Sequence, residues 1–264
     1  MKTIIKCTLI YLLCISGLLA QTIKGIKAEA SLAIVNINPV EAQQMLLRRV
    51  RANAIEKASG IEVTSTTLIK DGALAMDFLK SYTSGIIIKE KITWLPVTTY
   101  QLNETQAPIP EYHIRIVADI KLVTKTTDLH FFAKLNKDIF ISGENLTLSL
   151  LSSDDANFAI FYLGEDDSLY KLVPSMNETM SIKAKQKVLF PSKESEETFT
   201  LQALKGHKQT TEALWILASK VGSKVDFSKN FLKDEYTLNE FSILYAEIAH
   251  NCTETILPYI ILEK

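Results

Sequence analysis

The chain has 264 residues, 47% hydrophobic and 8% aromatic, with 29 Lys and Arg against 30 Asp and Glu. That apolar share can bury a core, which excludes a mostly disordered polymer, and the near-zero charge argues against a surface built to grip nucleic acid. Nine Gly and seven Pro exclude a collagen-like or low-complexity chain, and the length corresponds to roughly one to two domains.

Residues 1–20 open with Lys2 and Lys6 and continue into an almost wholly apolar run from Leu9 to Ala20. A positive start, a short apolar stretch and a small residue at the cut predict a secretory signal peptide. The apolar run is short for a membrane span of about 20 residues, and no later segment reaches that length. Neither Cys7 nor Cys14 follows small residues at the cut, so no lipid anchor is expected. Loss of Lys2 and Lys6 leaves 27 basic against 30 acidic side chains, a net charge of −3. Cys252 then stands alone, and stability must come from packed cores rather than an internal disulfide. Sequons at Asn103, Asn145, Asn177 and Asn251 are short motifs that arise easily by chance.

Residues 26–35 read as a strand. Asn38, Pro39 and Glu41 then form a helix start, and Gly60 offers the left-handed stop. Between them Ala42, Leu46, Val50, Ala54 and Ala58 recur every four residues, which marks one buried helix face, with Gln43, Arg48, Arg49, Arg51 and Lys57 mostly off it. Residues 61–67 read as a β-branched strand, 73–81 as a short helix and 85–94 as another strand. In 111–122 the side chains of Tyr112, Ile114, Ile116, Ala118, Ile120 and Leu122 alternate with His113, Arg115, Asp119 and Lys121. That alternation predicts a half-buried antiparallel strand. Residues 21–124 are therefore expected to form a small α+β domain, ordered strand-helix-strand-helix-strand-strand, with helices on one sheet face.

From about residue 124 the helical period disappears. Short strands are expected at 129–135, 146–151, 158–163, 169–173, 187–190, 198–204 and 214–218, separated by polar turns. Thr237, Leu238, Asn239 and Glu240 form a capping box that opens a helix to about His250, and 257–262 closes as a strand. Residues 125–264 are thus read as an antiparallel β-sandwich with a late helix.

Two stretches resemble known families. Ala28, Glu29 and Ala30 on the first strand, the helix end from Arg51 to Ser59, and Gly60 before Ile61, Glu62 and Val63 resemble the N-terminal domain of the flagellar assembly protein T family and related small envelope lipoproteins. Ser84 to Ile87 and Tyr112 to Val117 extend this over about residues 24–123. Further on, Gly143 and Glu144 precede a strand, and Ala159 to Leu163 make a central aromatic strand. Tyr170 to Ser175 then form an aliphatic-Pro turn, with Ser175 where Asn is usual. With Phe190, Pro191, Phe199 and Trp215 to Ala218 following, residues 128–220 resemble bacterial domain of unknown function 4384. These resemblances imply a bacterial cell-envelope setting and supply no mechanism.

Candidate chemistry is sparse. His113, His130, His207 and His250 stand apart from any nucleophile elbow, zincin helix or P-loop. His250 and Cys252 are close in sequence, but two ligands do not make a metal site, and His250 also suits a helix C-terminus. Asp154 and Asp155, then Glu165, Asp166 and Asp167, are oxygen-rich loops that would be weak calcium candidates and also serve as turn formers. All four Arg lie in the first half, and Arg48, Arg49 and Arg51 crowd one helix turn. Guanidinium forks bind phosphate and carboxylate, so this patch is a candidate for an anion or partner, weighed against a solvated helix face. Trp94 and Trp215 are expected to pack inside strands.

The expectation is a non-enzymatic exported envelope protein, periplasmic or secreted, acting as a binding or assembly module without a cofactor. Its partner would be an envelope protein or anionic envelope polymer, or a second copy of itself paired along a sheet edge. A periplasmic or secreted metal-assisted hydrolase using the acidic loops, and a ligand carrier using the sandwich interior or its end loops, are the alternatives.

Overall fold

The computed structural model describes residues 21–35, 37–60, 84–101, 103–105, 107–174, 180–192 and 198–264. The expected signal peptide, the strand at 61–67, the helix at 73–81, Ser175 and the Asn177 sequon lie outside the described residues.

The first half is a sheet ordered β1-β4-β2, built from β1 (Thr22–Ala33), β2 (Gly85–Trp94) and β4 (Ile109–Leu122), with β3 (Thr98–Tyr100) also pairing β4. All three ladders are antiparallel, which fits the alternation read from β4: Ile114, Ile116, Ala118 and Ile120 are buried and Arg115 is exposed. Helix α1 (Pro39–Ser59) lies across that apolar face. Its start is capped as the sequence predicts, Asn38 accepting from the Glu41 amide at 2.9 Å, and Gly60 ends it at φ 69°.

Beyond residue 124 the chain is almost all strand. The short strands are β5 (Phe131–Leu135), β6 (Ile139–Ile141), β7 (Asn145–Leu146), β8 (Leu148–Ser152), β9 (Ala156–Leu163) and β10 (Ser168–Val173). β11 (Ser181–Ile182), β12 (Lys187–Phe190), β13 (Phe199–Thr200), β14 (Gln209–Lys220), β15 (Glu235–Thr237) and β16 (Thr253–Leu262) complete the set. A large sheet runs β15-β10-β9-β14-β16-β6, with β11 beside β9; a smaller one runs β12-β8-β5, and β13 pairs β7. Helix α2 (Phe227–Asn230) and helix α3 (Leu238–Ile248) follow β14. Thr237 and Glu240 cap α3 reciprocally, the Glu240 amide donating to Thr237 at 3.2 Å and the Thr237 amide to Glu240 at 3.0 Å. The chain is a β-rich α+β protein.

The large sheet is apolar on both faces. Phe158, Ile160, Leu214, Ile216 and Ala218 pack with Leu148 and Leu150 of the smaller sheet. On the opposite face Phe161, Ala213, Trp215 and Leu217 belong to a second core, and this core also contains Leu46, Val50, Ile55, Ile86, Ile116 and Ile120 of the first half. Helix α3 is the filler between them: Phe241 lies 4.8 Å from Trp215 and 4.9 Å from Phe161, ring to ring, and the helix packs against β2. Lys121 of β4 donates to the Ala246 carbonyl, and both the amide and the hydroxyl of Thr126 reach the His250 carbonyl, at 2.9 and 2.8 Å. The two halves therefore share one continuous core.

One core expectation fails. Trp215 is fully buried, whereas Trp94 is 45% exposed. Trp94 pairs with Ile114 at the far end of β2; Ile114 is buried on the central strand β4, whereas Trp94 sits at the end of the edge strand.

Candidate functional site

The arginine cluster and the second acidic cluster, 114 or more residues apart in the chain, meet in the fold. Arg48 donates from Nε to Asp167 Oδ1 at 2.9 Å and from Nη2 to the Glu165 carbonyl at 2.6 Å. Arg51 grips Glu90 of β2 with two bonds, Nη2 to Oε1 at 2.6 Å and Nε to Oε2 at 3.0 Å, and reaches Asp167 Oδ2 from Nη1 at 3.2 Å. Such forked, charge-assisted pairs are the geometry guanidinium is suited to. All four side chains are 10–15% exposed, so this is a near-buried ionic bridge between α1 and the hairpin tip that joins β9 to β10. Arg49 points elsewhere, toward the Ser31 carbonyl at 3.4 Å. The three arginines thus do not present one solvated patch: two of the three forks are filled by carboxylates and a carbonyl of this chain.

The acidic loops are spent in the same way. Asp166 accepts from the Ser168 amide at 3.0 Å inside its own turn, and Asp167 holds the left-handed φ of 63° that closes it. Glu165 lies 3.5 Å from His207 Nδ1. Asp155 pairs with Lys183 at 2.7 Å and accepts from the Ala184 amide at 2.9 Å, which lowers its pKa. Asp154 accepts from the Ser153 hydroxyl at 2.7 Å and faces Lys220 at 3.5 Å. These carboxylates point at cations and amides of the chain. Among the described residues, no group of three or more His, Cys, Asp and Glu converges as a metal would require.

The remaining candidates separate. The Cys252 thiol is fully buried, and burial together with the nearby Glu254 carboxylate pushes its pKa up to about 12. The His250 ring is on the surface, 3.0 Å from the Asn251 amide nitrogen, so the pair is not a thiolate and its base. His113 meets the Thr98 hydroxyl at 2.6 Å and Glu111 at 3.3 Å, on the polar side of its strand.

A different site emerges that the sequence reading did not single out. Glu212 on β14 is only 6% exposed, at the end of an otherwise apolar buried run. The Tyr162 hydroxyl on β9 donates to it at 2.8 Å, and Tyr259 on β16 also hydrogen-bonds it. Burial, and the negative charge of Glu165, raise the Glu212 pKa, while the two hydroxyls work in the opposite direction. Both tyrosine pKa values are in turn raised, by burial first and by the carboxylate second. Among the described residues no Lys, Arg or His contacts Glu212. This carboxylate lies on the wall of a cavity of about 240 Å³ that opens between the large sheet and the β7–β13 pair. Leu146, Leu172, Phe199 and Leu201 supply its apolar lining. The legible signal was an acid inside a strand of apolar neighbours; the partners come from strands far away in the chain.

Residues 139–221 match a family described as a domain of unknown function (DUF4384), which covers most of the stretch where the sequence resembles that domain. The match includes Tyr162 and Glu212 and stops before Tyr259. No curated protein matches the chain. Among the described residues no helix is long and apolar enough to cross a membrane.

Proposed function

We propose that the chain is an exported bacterial cell-envelope protein that acts as a binding or assembly module and not as an enzyme. The observation that carries this reading is a set of exposed apolar side chains at one end of the first sheet. Trp94, Val97 and Tyr100 follow β2 into β3, and Val35 and Val40 bracket the start of α1, each 40–66% exposed. The pairing of Ala33 and of Thr98 with the same Glu111 brings these segments to a common end. Clustered exposed apolar groups mark protein contact sites. The partner in this reading is another envelope protein or a second copy. The shared core fits a single rigid body carrying that surface. Export rests on the positive, apolar N-terminus. Residues 24–123 are read in this proposal as a module similar to the flagellar assembly protein T domain, on their sequence alone, and residues 125–264 as a β-sandwich module.

The test is fractionation of cells producing the tagged chain, joined to a photo-crosslinking residue at position 94. Cleaved protein outside the cytosol, crosslinked to a discrete partner or to itself, is the expected result. Uncleaved protein in the cytosol, or a clean lane with the probe at 94, defeats the reading. A ligand-carrier role is a second reading, favoured by the cavity beside Glu212.

A further inference from the structure

We propose that the cavity beside Glu212 binds a small organic cation, a free alkylammonium compound whose charged head is held by the Glu212 carboxylate and whose chain lies among the surrounding apolar and aromatic side chains. This rests on the ligand-carrier reading and names its ligand class.

Three features select the class. A carboxylate removed from water needs a compensating partner, and the two groups that reach Glu212 are neutral hydroxyls, Tyr162 at 2.8 Å and Tyr259. The nearby side chain that influences its charge is another acid, Glu165, so the local field disfavours an anion and favours a cation. A carboxylate offers about four acceptor directions, and two hydroxyl donors leave room for an N–H donor.

The walls agree with the charge. The rings of Tyr162, Tyr259 and Phe199 line the same space as Glu212, and aromatic faces attract a desolvated ammonium. Leu172 and Leu201 supply the surface for an alkyl chain. The volume, about 240 Å³, corresponds to about eight waters at 30 Å³ each, a size for a short chain and not for a folded domain. The Arg48 and Arg51 forks lie against Asp167 and Glu90, so they are engaged outside this space.

The experiment titrates the purified full-length chain with three probes that share one alkyl tail: hexylammonium, 1-hexanol and hexanoate. Binding is followed by backbone amide shifts at Ala213 and Leu172. Hexylammonium is expected to saturate and to bind about tenfold more tightly than hexanol, with hexanoate weaker still. Glu212→Gln is expected to weaken hexylammonium binding about tenfold and so remove its advantage over hexanol. Should Glu212→Gln fail to fold, the ranking of the three head groups on the unaltered chain still decides. Equal binding of all three, or a preference for hexanoate, overturns the cation assignment while leaving a carrier. Failure of every probe to shift those amides overturns the carrier reading itself. Tighter binding of Nα-acetyl-lysine N-methylamide than of hexylammonium overturns the free ligand in favour of a protein-borne lysine.

Discussion

Arg48 on the first helix and Asp167 on a hairpin tip 119 residues later in the chain are joined side chain to side chain at 2.9 Å. The bond closes a bridge whose other members are Arg51 and Glu90, and it holds a helix of the first half against the large sheet of the second. The shared apolar core beneath makes the same connection without charge. A buried ion pair adds little net stability when formed, yet losing one partner strands the other away from water.

Arg48→Ala is therefore expected to lower stability by about 1–3 kcal/mol, because the Glu165 carbonyl loses its arginine donor and Asp167 is left with Arg51 alone. Urea denaturation followed by tryptophan fluorescence, in which the buried Trp215 becomes exposed on unfolding, reads this directly. Asp167→Asn keeps a side chain that tolerates the left-handed backbone and should cost less than Asp167→Val, which adds a β-branch at φ 63°. Equal losses for the Asn and Val variants would refute the backbone part of this account.

Gly85 opens β2 with two isoleucines pressed against it. A methyl group there would lie 3.0 Å from Ile120 Cγ2 and 3.2 Å from Ile55 Cγ2, both fully buried. Gly85→Ala should destabilise by about 1–3 kcal/mol through overpacking, and the double change Gly85→Ala with Ile55→Ala, which removes the crowding Cγ2 methyl, should cost less than the sum of the two single changes. Thermal melts of the two single variants and the double variant check it.

The Cys252 thiol, buried and with its pKa pushed up to about 12, should resist iodoacetamide at neutral pH in the native protein and react on unfolding. Peptide mapping keeps Cys252 distinct from Cys7 and Cys14. Rapid native labelling at Cys252 would contradict the burial described here.

The raised pKa of Glu212 carries a pH signature. Its folded value lies above the ordinary 4.5, so the native state holds the proton more tightly than the unfolded chain. Its contribution to stability is then complete below about pH 4.5 and is lost as pH rises through the folded value. Glu212→Gln should remove that downward slope and leave the protein relatively more stable at neutral pH. Denaturation midpoints from pH 4 to 8, compared between the two proteins, test the sign; parallel curves would contradict it.

How far the residues spoke for themselves varies by element. Asn38, Pro39 and Gly60 bound the first helix, and Thr237 with Glu240 opens the late one, because capping is settled within four residues. β4 declares itself by alternation, since one of its faces is polar. β14 runs from Gln209 to Lys220, longer at both ends than the 214–218 core read from the sequence, because both faces are buried and no period marks the boundary. β6, three residues pairing in parallel with β16, carries too little pattern to be read at all.

Local chemistry by itself determined the caps, the half-buried strand, the turn-forming acids and the mixture of one helix-bearing segment with many strands. Those features depend on neighbours a few residues away, and the chain displays them in order. Only the tertiary structure decided that Arg48 faces Asp167, that Trp94 reaches solvent while Trp215 does not, and that Tyr162 and Tyr259 converge on Glu212. Each of those depends on which sheet faces lie together. That choice follows from burying the most apolar surface across the whole chain, and no short stretch of residues records it.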